Sequence, residues 1–230
     1  MDKPAILVGA AERESERLDR RRTGDDWRFS LPVLSTGDVV LREVRSGDAS
    51  ALVSLLTTPE ITRFISPPPQ TADGFERFIA ASQRLRASGE GACFAVTLRD
   101  YHTAIGIFQV RQVMPSEDEA RQIGGAMDTA EWGFALGYPF WGTGVFEQSA
   151  ALVMEFAFER IRVHRLEARC AVKNARGSKA LLKVGAVPEG ILRKAFIADG
   201  EHLDQVLYAI VEHDWRTCRD RARAAQLTLH

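Results

Sequence analysis

The chain has 230 residues, 45% of them hydrophobic and 27% charged, which suits a globular protein with one sizeable core and an appendage. A formal net charge of -1 and a pI near 6.5 supply no broad basic field, so neither a nucleic-acid backbone nor an anionic membrane is an expected partner. Three widely spaced cysteines (Cys93, Cys170, Cys218) without a C-x-x-C pattern argue against a disulfide framework and a zinc site, and for a reducing, cytoplasmic location.

The apolar run Pro4 to Ala11 gives way at Glu12 and makes a poor secretory segment. Nothing approaches the roughly 20 apolar residues of a spanning helix, and a soluble protein is expected. Residues 1–33 read as a charged arm: they are dense in Glu, Arg and Asp and show no sustained apolar stripe. Docking of Arg17 to Arg22 on a ribosome or another acidic partner is the functional alternative for this arm. The folded domain is expected over 34–218, with a tail over 219–230.

Val39 to Val44 predicts a first strand, and Ser46-Gly47-Asp48 a cap-rich entry to a helix carrying Leu52, Val53, Leu55 and Leu56. Pro67-Pro68-Pro69 is a stiff link, after which Thr71 begins a helix with Phe75, Phe78, Ile79, Ser82 and Leu85 at helical spacing. Cys93 to Leu98 and Ala104 to Val110 predict a hairpin across Arg99 to His102. Pro115 to Gly125 reads as a long acidic loop, and Ala130 to Leu136 as the next strand.

Val145 to Arg160 holds no Gly or Pro and predicts an amphipathic helix of about four turns. Leu166 to Val172 alternates as a strand, Ser178 to Val184 forms a short helix that Gly185 breaks, and Ile191 to Ile197 pairs with Gln205 to Val211 across Ala198-Asp199-Gly200. The order is that of an α/β fold on one mixed sheet.

The most informative local feature is a strand ending at Leu136, the turn Gly137 to Gly144, and then the long helix. Glycines let backbone approach a ligand, and the first amides of a helix lack intrahelical acceptors, so a phosphate is the natural occupant. A tight strand-to-helix turn without a ligand is the plain alternative. Glu147 stands where a dinucleotide fingerprint needs a third glycine, and the Gly-Lys-Ser/Thr ending of a P-loop is absent.

Ala130 to Leu136, Trp141-Gly142-Thr143-Gly144, His164 to Ala168, Asn174-Ala175-Arg176 and Lys183 to Ala186 occur in an order and spacing that resembles the GNAT N-acetyltransferases. The nearest branch is the ribosomal-protein N-terminal (RimJ/RimL-like) acetylases. The likeness extends to Leu41-Arg42-Glu43, to Gly190 to Arg193 and to Asp204 to Tyr208, and so covers roughly residues 34 to 215.

The resemblance implies a GNAT fold: a mixed, mostly antiparallel twisted sheet, splayed between two central strands and flanked by helices. It implies an acyltransferase that moves an acetyl group from acetyl-CoA directly to a primary amine, either a protein N-terminus or a small molecule. Backbone amides of Trp141, Gly142, Thr143, Gly144, Val145 and Phe146 would hold the pyrophosphate. The main chain of Phe134, Ala135 and Leu136 would pair with the pantetheine arm. Asn174 matches the family asparagine near the thioester, with Ser178 and Lys179 beside the cofactor.

An amine must be neutral to attack, and Lys-type and α-amines have ordinary pKa values near ~10.4 and ~7.7 to 8.0. Glu131 matches the family's strand glutamate, and alternation puts it on one face with Gly133 and Ala135, leaving room for a substrate. It is the candidate base; a partly buried structural glutamate, paired with an arginine or capping a loop amide, is the alternative. The strand amide near Leu136 is the candidate oxyanion donor.

Leu181 stands where many members carry a tyrosine acid, Ser178 being the substitute candidate, while Pro139 and Gly177 replace the usual Gln or Arg and the usual serine. The leucine leaves open a second class of function, a non-catalytic acetyl-CoA-binding regulatory module. His102, His164, His202, His213 and His230 show no metal-ligand spacing, and no metal is expected. Acceptor identity, acyl length and oligomeric state stay open, a homodimer among the options.

Overall fold

The computed structural model describes residues 26–113, 128–198 and 200–227, with side chains through residue 220. Arg17 to Arg22, the acidic loop Pro115 to Gly125, Asp199 of the hairpin turn and the last three residues lie outside the described residues.

The chain begins with β1 (Leu34–Thr36) and β2 (Val39–Glu43), then a short turn of helix over Ser46–Asp48 that leads into α1 (Ala49–Leu56). Asp48 is the buried pin of this entry. Its carboxylate accepts the Arg45 N–H at 2.8 Å and both guanidinium nitrogens of Arg42, at 2.8 and 2.6 Å. A short α2 (Pro59–Thr62) precedes the proline link, and α3 (Ala72–Ser88) follows it. Thr71 caps α3 by accepting the Gly74 N–H at 3.1 Å.

The two strands predicted next are longer than their apolar stretches: β3 runs Gly91–Leu98 and β4 Tyr101–Gln112. All but the last residue of β3 is buried, because helices cover both faces of the sheet at its centre. Then come β5 (Thr129–Leu136), α4 (Val145–Glu155), β6 (Arg165–Ala171), α5 (Ala175–Lys183), β7 (Val187–Ala198), β8 (Glu201–Val211) and α6 (Glu212–Leu227). The eight strands form one sheet in the order β1-β2-β3-β4-β5-β6-β8-β7. Every pairing is antiparallel except β5 with β6.

Each face of the sheet has its own core. On one side Phe108, Trp132 and Val110 pack with Val145, Val153 and Phe156 of the α4 side. Phe134 stacks on Phe108 at 5.4 Å and meets Phe146 at 4.6 Å between ring centroids. On the other side Cys93, Ala95 and Ala104 pack with Leu52, Leu56, Phe75 and Ile79 of α1 and α3.

Three features depart from the sequence reading. Helix α4 does not stay α-helical to Arg160: after Glu155 it widens into a π-helical turn, Phe156–Ile161, that ends at Arg162 with φ 69°. Phe156, Ala157 and Phe158 are all buried there, more consecutive burial than one α-helical stripe can present. Residues 26–33, placed with the charged arm, include buried Leu31, and Trp27 sits edge-on to Phe156 at 6.0 Å. Helix α6 crosses residue 218, where the tail was expected to begin.

The outer edge, β7, is broken between Leu192 and Phe196. There Lys194 takes φ 56° and donates its N–H to Asp204 Oδ1 at 2.9 Å.

At the middle of the sheet Gly106 lies opposite Leu136. A Cβ on Gly106 would sit 2.5 Å from the Ala135 carbonyl oxygen and 3.0 Å from Leu136 Cα, so backbone must move to admit it. Gly106→Ala is therefore expected to destabilise the fold by about 1–3 kcal/mol. A urea unfolding curve would show a lower midpoint with an unchanged slope.

Candidate active site

The parallel pairing of β5 with β6 lasts for three residue pairs, Thr129 with Arg165, Ala130 with Leu166 and Glu131 with Glu167. Beyond Glu131 the strands part. Gly137 N–H donates to Ile105 O and Val113 N–H to Thr129 O, which puts the odd-numbered residues of β5 in hydrogen-bonded pairs with β4. The backbone groups of Phe134 and Leu136 consequently face the gap, with no β6 partner. Those of Ala135 face β4, so what Ala135 offers to the gap is a small side chain and not its main chain.

The gap opens into a cavity of about 770 Å³ that also reaches the proline link. Glu131, Gly133 and Ala135 line it along the exposed face of β5, as strand alternation predicts.

At the far end of β5 stands the glycine turn. Gly142 and Gly144 have φ 75° and 84°, conformations that side chains disfavour, and a Cβ on Gly142 would meet nothing within 4 Å. The first helical bond of α4 is Gln148 N–H to Gly144 O at 3.2 Å. The amides of Gly142, Thr143, Gly144, Val145 and Phe146 thus take no backbone acceptor among the described residues.

Trp141 differs from the sequence expectation. Its amide is already donated to Tyr138 O at 3.1 Å, and its indole Nε1 donates to Leu136 O at 2.7 Å. Trp141 is therefore a structural peg for the turn, and the Leu136 carbonyl is occupied while its N–H is left to the gap.

Helix α5 meets this turn and the start of α4 through two basic residues. The Arg176 guanidinium lies 4.5 Å from the Trp141 ring centroid. Lys183 pairs with Glu147 in the first turn of α4 and holds that carboxyl below the usual glutamate range. Exposed Lys179 lies between these two positions on the helix.

Asn174 caps α5: its Oδ1 accepts the Gly177 N–H at 2.9 Å, and the residue lines the cavity. Gly177 is a packing requirement, because a Cβ there would lie 2.6 Å from Asn174 Nδ2 and 2.8 Å from Cys170 Sγ. Ser178 is turned to Cys170, its Oγ donating to Sγ at 3.8 Å, and is not a wall of the cavity. Cys170 is a wall, and burial pushes its thiol above the ordinary range. Leu181 is a wall as well, 2% exposed, and brings no hydroxyl.

Sequence reasoning missed the walls that other elements supply. Arg111 of β4 lies directly across from Glu131, and Arg169 of β6 approaches it, Nη1 to Oε2 at 3.8 Å. Alternation puts Arg169 on the face of Glu167, but only strand order and register bring that face beside Glu131. Phe64, Pro67 to Pro69 and Phe196 close the apolar side. Among the described residues no group of three or more His, Cys, Asp or Glu could hold a metal ion, and no helix is long and apolar enough to cross a membrane.

Residues 38–187 match the acetyltransferase (GNAT) domain family. An uncharacterized N-acetyltransferase, p20, of Bacillus licheniformis is 23% identical over 80% of this chain and 99% of its own length. The ribosomal-protein-S5-alanine acetyltransferase of Vibrio fischeri superposes with a TM-score of 0.68 at 18% identity, covering 80% of this chain and 98% of its own. Mycobacterium smegmatis RimJ in complex with CoA-disulfide gives 0.66 at 20% identity, covering 76% and 83%. The splayed mixed sheet, the glycine turn with its open amides and this domain match lead to one conclusion, that the chain belongs to the GNAT acetyltransferase family and is an acyltransferase.

Proposed function

We propose that the protein moves an acetyl group from acetyl-CoA directly onto a primary amine, with Glu131 as general base. One observation carries this reading: the β5–β6 ladder stops at Glu131, so a carboxylate stands where strand backbone opens onto the cavity. The residues present fit the donor. Five successive amides, Gly142 to Phe146, lack backbone acceptors among the described residues and suit a pyrophosphate. The Phe134 backbone offers the strand edge to the amides of a pantetheine arm, which leaves the Leu136 N–H for the acetyl group, and Asn174 keeps Nδ2 for the same arm. Arg176 and Lys179 add positive charge at the turn.

Acetyl-CoA supplies the acetyl group as a thioester. Glu131 accepts the proton that the amine must lose, directly or through one water, as its nitrogen bonds to the acetyl carbon and the C–S bond breaks. The Leu136 N–H, which has no strand partner, is the donor that would take up the charge collecting on the carbonyl oxygen. No tyrosine is needed at Leu181, because a thiol with an ordinary pKa of ~8.5 leaves readily as thiolate and takes its proton from solvent. A protein N-terminus is the favoured acceptor, supported by the activity named for the V. fischeri relative. Small amines are the other acceptor class.

Glu131→Gln is expected to lower the rate of thiol release with an amine acceptor by about 10²-fold at neutral pH, while CoA affinity changes little. An unimpaired rate removes Glu131 as the base, and CoA binding without turnover on any acceptor removes the transfer reading.

Gly177→Ser, which restores the residue usual in the family, is expected to do harm here. Its Cβ displaces Asn174, and loss of the cap costs about 1 kcal/mol. A lower melting temperature together with weaker CoA binding, measured by calorimetry, checks this.

A further inference from the structure

The charged walls of the cavity are Arg111, Glu131 and Arg169, two cations against one anion among the described residues. This is an unusual balance for a pocket that must receive an amine. Glu167, the next carboxylate along the same row, is already engaged: it accepts from Arg165 Nε at 2.8 Å, and Arg165 is held in turn by Glu189. Glu131 is therefore the carboxylate of the wall, and it accepts no hydrogen bond among the described residues.

Neither arginine is consumed by Glu131. The 3.8 Å separation from Arg169 is an ion pair without a hydrogen bond, and both side chains are about 40% exposed, at 41% and 40%. Arg111 has no ion pair or side-chain hydrogen bond among the described residues, although it lies directly across the ladder from Glu131. Each guanidinium has planar donors that suit the two oxygens of a carboxylate. With an amine at Glu131, these donors point to an anionic group a few bonds away on the same acceptor.

We infer that the acceptor carries a carboxylate close to its amine, and that Arg111 and Arg169 select for it. The inference rests on the acetyl-transfer reading for the location of the amine at Glu131. Two sources share this chemistry: an acidic side chain at the second position of a peptide N-terminus, and the α-carboxylate of a free amino acid. An apolar wall formed by Phe64, Pro67 to Pro69 and Phe196 borders the same cavity.

The test measures acceptor affinity in protein saturated with CoA, so that it does not depend on turnover. The probes are the C-terminal amides of Ala-Glu-Ala, Ala-Gln-Ala and Ala-Lys-Ala, and free alanine against alaninamide, titrated by calorimetry. An acidic peptide source predicts that the Glu peptide binds about tenfold more tightly than the Gln peptide, and the Lys peptide most weakly. A free amino-acid source predicts the same preference for alanine over alaninamide.

In the double variant Arg111→Gln, Arg169→Gln the preference is expected to fall toward one. Retained CoA binding shows that the site is intact. If the double variant does not bind CoA, the single variants R111Q and R169Q are compared, each expected to lower the preference. Equal binding of Glu and Gln peptides together with equal binding of alanine and alaninamide overturns the inference, as does a preference that survives the substitutions. Absence of thiol release with every probe counts against acetyl transfer; absence of an affinity difference counts against the carboxylate.

Discussion

The structure turns on a ladder that stops. Parallel pairing of β5 with β6 holds the two halves of the sheet together for three residue pairs and then ends at Glu131 and Glu167. A strand whose N–H and C=O groups are left open inside a protein bears a cost unless something pairs with them. Here the unpaired stretch is short, and one of its groups, the Leu136 carbonyl, is taken by the Trp141 indole. What is left over, Phe134 and the Leu136 N–H, faces the gap, and Phe134 lines the cavity. Because β5 is anchored to β4 along its whole length, the opening is held in place rather than improvised.

The two faces of β5 divide the work. Trp132, Phe134 and Leu136 bind the strand to the α4 core through aromatic contacts. Glu131, Gly133 and Ala135 look the other way, where small side chains leave volume and the carboxylate is the one large group. The glycine turn follows directly from the same strand. Its distance from Glu131 is thus fixed by one rigid element, and α5 closes the arrangement through Arg176 on Trp141 and Lys183 on Glu147.

Much of this was legible in the sequence because it is local. Alternation in Ala130 to Leu136 separated the core face from the open face, the two glycines before Val145 marked the turn, and Thr71 and Gly185 punctuated their helices. What could not be read depended on register or on which groups were already satisfied. Ala135 and Trp141 match the motif as well as their neighbours do, yet their amides are spent on β4 and on Tyr138. Arg111 and Arg169 are distant in sequence and meet Glu131 only because β4, β5 and β6 are adjacent. The widening of α4 after Glu155 answers to tertiary packing of Phe156 and Phe158, which a helical pattern alone does not encode.

The break in β7 has a consequence for the molecule as a whole. An outermost strand of 12 residues with exposed Val187, Ile191 and Ile197 would ordinarily be a template on which another chain's strand could grow. At Lys194 the backbone turns into the left-handed region, spends its N–H on Asp204 and carries a charged side chain back to the His202 carbonyl. The edge is thereby cut into two short pieces with a lysine between them. One residue in the left-handed region, some distance from the chemistry, thus shortens the stretch of outer edge that another chain's strand could extend.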